Sequence, residues 1–90
     1  MMQRYAIMLV EPNSRPSKKS EEISYLQNRH GDIRKDVQQF IQDNGLDSEV
    51  DYLGKAMVIP TLFITCSESA AKKIAKLSSI YRLVQTSAAA

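Results

Sequence analysis

Apolar residues recur along this chain in two rhythms. Arg4–Val10, RYAIMLV, is a short, nearly continuous apolar run closed by Glu11-Pro12, which predicts a strand buried on most of both faces. Pro12 ends it, because proline has no N–H for a ladder bond. Asn13–Lys19 is polar, contains Pro16 and reads as a loop. Ile33, Val37, Phe40 and Ile41 then recur at helical spacing and predict a helix over Asp32–Asn44. Asp32 would be its N-cap, and Gly45 the residue that closes it in a left-handed turn. Arg34, Lys35, Gln38 and Asp43 fall on the side facing water. A shorter helix is predicted over Ser20–Asn28, capped by Ser20, with Glu21 and Glu22 in its first turn and Ile23 and Leu26 on one face. His30-Gly31 separates the two.

The second half repeats the alternation of strand and helix. Glu49–Met57 and Thr61–Cys66 read as strands, with Gly54 marking a bulge or turn and Pro60 the break between them. Ser67 is a helix N-cap with Glu68 in the first turn. Ala70, Ala71, Ile74 and Leu77 form a narrow apolar stripe, while Lys72, Lys73 and Lys76 lie toward solvent. Ile80–Val84 is the last strand. The order strand, helix, strand, strand, helix, strand predicts an α+β, ferredoxin-like fold: a four-stranded antiparallel sheet with two helices on one face. The other face is left open to solvent or a partner. Residues 1–85 are expected to form a single domain, and 86–90, small and polar, a flexible tail.

Composition narrows the classes of function. A chain of 90 residues makes one small domain, and 43% hydrophobic residues suffice for a core. The 12 basic and 10 acidic residues are interleaved, without the basic stripe of an electrostatically driven nucleic-acid binder. A single cysteine, Cys66, allows no intrachain disulfide and fits a reducing compartment. No apolar run approaches the roughly 18 residues that suggest a membrane span, and the N-terminus lacks a secretory pattern. The expectation is a soluble, cytoplasmic protein.

No residue set forms a catalytic constellation, so the expectation is not an enzyme. His30, the only histidine, reads as a polar loop residue, and with no second histidine or cysteine pair it builds no metal site. No cofactor is expected, since the glycines are too scattered for a phosphate loop. Cys66 ends an apolar strand with no cation beside it and reads as a buried, inert thiol. Asp47, Glu49 and Asp51 alternate and would share one face of a strand; they read as a solvated edge, with an acid–base pair as the alternative. Tyr5 and Phe63 are the two candidates for stacking on RNA bases.

From Cys66 onward the sequence resembles a known pattern. Cys66-Ser67-Glu68-Ser69-Ala70-Ala71-Lys72-Lys73-Ile74, followed by Ile80 and Leu83, resembles the C-terminal half of subtilisin propeptide-like protease inhibitors. Ser67 matches the cap, Ala71 the small residue, Ile74 the helical apolar position, and Ile80 and Leu83 the final strand. Tyr5–Val10 is similar to that family's opening strand. The resemblance implies that the open sheet face packs on a subtilisin-like serine protease. It also implies that the tail, Thr86, Ser87, Ala88, Ala89 and Ala90, lies in the substrate cleft with Ala90 nearest the catalytic serine. The chain would then act as an inhibitor or intermolecular folding chaperone.

MQRYAIMLVEPN is also similar to the opening strand of a ferredoxin-like small-subunit ribosomal protein, which implies an RNA- or ribosome-associated module. A regulatory or oligomerisation domain that forms a homodimer through its sheet is the third expectation.

Overall fold

The computed structural model describes residues 2–12, 14 and 16–86. The described residues form strand β1 (Met2–Leu9), helix α1 (Lys19–Asp43), a 3₁₀ turn (Asp47–Glu49), strands β2 (Val50–Leu53) and β3 (Thr61–Ser67), helix α2 (Glu68–Ile74) and strand β4 (Ile80–Gln85). The strands pair antiparallel in the order β2-β3-β1-β4. This is the α+β arrangement that the element order predicts, and the strand order is consistent with a ferredoxin-like fold.

One face of the sheet is the floor of the core. Ile7 and Leu9 of β1, Leu62, Ile64 and Cys66 of β3, and Ile80 of β4 are buried there against Val37 and Ile41 of α1 and Ala70, Ala71 and Ile74 of α2. Each such aliphatic side chain removed from water contributes about 1.5–3 kcal/mol. Ser67 caps α2 as the sequence predicts: its Oγ accepts from the Ala70 N–H at 3.1 Å. The Ser67 hydroxyl also donates to Glu49 at 2.7 Å, tying the start of α2 to the entry of β2. Gly45, at φ 63°, makes the left-handed turn after α1.

α1 departs from the expectation. It is one helix of 25 residues that runs through His30-Gly31, not two helices with a break between them. Leu26, His30, Ile33, Val37 and Ile41 are buried along it at spacings of three or four, a single stripe. A glycine inside a helix costs about 1 kcal/mol relative to alanine, less than this stripe recovers by burial. Asp32 is therefore an exposed interior residue and not an N-cap. Ser20 lies inside the first turn, and the N-cap position is Lys18, whose side chain makes no capping bond. Phe40 is half-buried at the margin of the core. Arg34 turns inward: Nε donates to the Gly54 carbonyl at 2.7 Å and Nη2 to that of Leu53 at 3.1 Å.

β2 is likewise shorter than the expected Glu49–Met57 strand. Asp47 and Glu49 lie in the 3₁₀ turn, and the register shift between Val50 and Tyr52 makes Asp51 a bulge residue. The three acids do not form a row along a strand.

Candidate functional site

The open face of the sheet is set by strand alternation, since directly paired residues share a face. Phe63 pairs with Ala6, and Ala6 with Val84. On the other side of Phe63 the Gly54 N–H donates to the Phe63 carbonyl at 2.7 Å. The row across the sheet is thus Gly54, Phe63, Ala6, Val84. Small residues flank the phenylalanine along this row, and Phe63 is 45% exposed. Gly54 permits the close approach of β2 here, because a Cβ at that position would sit 3.1 Å from the Phe63 carbonyl oxygen.

The neighbouring row is Tyr52, Thr65, Arg4 and then Thr86. Tyr52 is 57% exposed and stands diagonally beside Phe63. Thr86 donates to the Arg4 carbonyl from its N–H at 3.0 Å and from its hydroxyl at 3.3 Å, which continues the ladder just past β4. These residues line a groove of about 540 Å³ together with Asp51. The third row holds Thr61, Met8 and Arg82. The open face thus presents two aromatic rings, a short aliphatic patch and two arginines.

The expected stacking pair is not brought together. Tyr5 pairs with Ile64 and points to the helix side, where it is buried, while Phe63 points to the open side. Burial first, then Cys66 and Glu68 nearby, holds the Tyr5 phenol above its ordinary value. The aromatic partner of Phe63 is Tyr52, which the sequence reading passed over. The signal that could have found it is parity from Gly54, since the residue two before a glycine that pairs with Phe63 shares its face.

His30 is not a loop residue. It is wholly enclosed on α1, and its Nδ1–H donates to the Met57 carbonyl at 2.7 Å. Its Nε2 has no hydrogen-bond partner among the described residues. Cys66 is buried as expected, and burial, with a smaller effect from Glu49, pushes its thiol up to about 11. Lys72 and Lys73 are exposed on α2 and Lys76 in the turn that follows it, since the helix ends at Ile74. Of the expected tail, Thr86 is placed as above, and Ser87, Ala88, Ala89 and Ala90 lie outside the described residues. Among the described residues no cluster of histidine, cysteine or carboxylate side chains could hold a metal ion, and no helix is long and apolar enough to cross a membrane.

These features define a small ferredoxin-like α+β protein with one covered and one open sheet face. Comparison of the chain with family models, with curated proteins and with solved structures finds no match.

Proposed function

We propose that the chain is a protein-binding module that docks through its open sheet face, as a propeptide-like inhibitor or folding chaperone of a subtilisin-type serine protease. The observation that carries this reading is the exposed apolar ground around Phe63, with Tyr52 and Val84 on the same face. Exposed aromatic and aliphatic side chains gathered on one face are the raw material of a desolvated interface. The reading is also supported by Thr86, which is bonded to Arg4 at the margin of that face. In this proposal Thr86–Ala90 is the segment that enters the substrate cleft, as the resemblance implies.

The test is inhibition of a purified subtilisin by the full chain, by Phe63→Asp and by a chain lacking 86–90. The full chain should inhibit. Phe63→Asp should lose binding, and the truncated chain should bind without blocking the cleft. A full chain that inhibits nothing, or a truncation that inhibits equally well, removes the reading.

A second reading has its own observation. Phe63 and Tyr52 share the open face with Arg4 and Arg82, the combination of stacking rings and cations that single-stranded nucleic acid uses. Salt-sensitive binding of single-stranded RNA, lost in a Tyr52→Ala, Phe63→Ala double variant, would select it over the protease reading.

A further inference from the structure

The two edges of the sheet are finished differently. β2 is short, carries the Asp51 bulge, and has the carbonyls of its last residue, Leu53, and of Gly54 just after it held by Arg34. Such devices keep an edge from recruiting another strand. β4 has a register shift near its start but runs regularly from Arg82 to Gln85. The Thr86 N–H donates to Arg4 across the ladder, and antiparallel alternation then turns the N–H and C=O groups of Leu83 and Gln85 away from β1.

A groove of about 550 Å³ runs beside this edge on the helix side. It exists because α2 packs chiefly over β1 and β3, and because Ala71 and Ala75 are too small to fill the space toward β4. Tyr5 and Leu83 contribute apolar surface to it. Lys72 and Glu68 also line it, ion-paired to each other at 3.4 Å, and Arg82, rooted on the open face by its pairing with Met8, reaches the groove at the strand edge. The Arg82 guanidinium lies 5.8 Å from the centre of the Tyr81 ring, which is 71% exposed. Lys73 on α2 and Lys76 in the turn after it add positive charge nearby.

We infer that this edge takes up an extended peptide with acidic side chains as a fifth strand. Its main chain bonds to Leu83 and Gln85, an apolar side chain enters the groove, and its carboxylates meet Lys72 and Arg82. Strand addition draws affinity from main-chain bonds and selectivity from pockets for alternate side chains, and both are present here. A second copy of this chain is the poorer occupant. β4 contains no acidic residue, and pairing it with itself would gather Arg82 and Lys72 of both copies at one seam. The site is centred on the β4 edge and the helix side of the sheet, shares only Arg82 with the open face, and does not rest on the protease reading.

The probes are two end-blocked hexapeptides, Thr-Val-Glu-Glu-Thr-Thr and the same sequence with lysine for both glutamates, titrated into the isotope-labelled full chain; in an extended strand the valine and the second charged residue share one face and the first charged residue lies on the other. The glutamate peptide should shift the amide signals of Leu83 and Gln85 saturably, and added salt should shrink the response. The lysine peptide should leave them unmoved. Gln85→Pro should lose the response, since proline fits an edge position whose N–H points outward but offers no donor there. The Lys72→Glu, Arg82→Glu double variant should reverse the preference toward lysine, which keeps the test decisive if the proline variant fails to fold. Equal responses to both peptides, no response at millimolar peptide, shifts confined to the open face, or self-association through β4 would each overturn the inference.

Discussion

The two faces of this sheet are built from alternate residues of the same strands, yet they obey opposite rules. Leu62 and Ile64 are sealed beneath the helices, while Phe63 between them stands 45% exposed. Ile7 is enclosed, and its neighbours Ala6 and Met8 look the other way. The covered face keeps its apolar area from water within the chain. The open face keeps comparable side chains where only another molecule can cover them. Stability and recognition are thus separated by one residue along a strand, and substitutions at adjacent positions should tell them apart.

The largest expected effect breaks the covered face. Leu62→Ala should cost about 2–5 kcal/mol in urea denaturation, through lost burial and a residual cavity. That is a large share of the roughly 5–15 kcal/mol typical of a folded domain. Phe63→Ala, one residue on, should change stability by less than about 1 kcal/mol. Equal losses at the two sites would mean that the faces are not distinct.

His30→Ala comes next. It removes a buried ring and leaves the Met57 carbonyl without its donor, for about 2–3 kcal/mol in the same measurement. A loss near zero would place the imidazole outside the covered face.

How legible these faces are in the sequence depends on whether each partner is near or far along the chain. Ser67 and Gly45 can be read locally, because a cap and a left-handed turn are properties of a few adjacent residues. The four strands and α2 follow from short apolar runs and their punctuation. His30 could not be read in this way: its place in the core depends on a carbonyl 27 residues away, in the segment between β2 and β3. Without that partner, a histidine followed by glycine looks like a break, and one helix divides into two. The faces of β1 were equally hidden. RYAIMLV is apolar on both sides, so its parity could not show that Tyr5 points to the core. The open face became readable only once the register joined Phe63 to Ala6 and Gly54.

A smaller effect appears only at alkaline pH. The Cys66 thiol moves from an ordinary 9.0 to about 11 in the fold, because the covered face disfavours the thiolate. The folded state therefore holds its proton where the unfolded chain has released it. The associated stability is complete below about pH 9 and is lost as pH rises through about 11. Denaturation midpoints should fall over that window, and Cys66→Val should flatten part of the fall. Tyr5, also raised, contributes with the same sign and remains in the variant. An unchanged slope in Cys66→Val would mean that the thiol is not enclosed.

The smallest effect is a gain, and it sharpens the account of how the covered face is roofed. Gly31 sits inside α1, and a Cβ there would meet nothing within 4 Å. Gly31→Ala should therefore stabilise the protein by about 0.5–1 kcal/mol, through helix propensity and a less free unfolded chain. In a domain of this size that raises Tm by a few degrees. Alanine could help a little even at a bend, so the gain alone does not separate one helix from two. Amide exchange does: in a continuous α1 the N–H groups of residues 30–34 are bonded within the helix and exchange slowly, whereas a break would leave them open to water. Slow exchange across Gly31, together with the gain in Tm, is the expected pair of results. Fast exchange there would mean that the stripe from Leu26 to Ile41 is two roofs, with the covered face least protected where they meet.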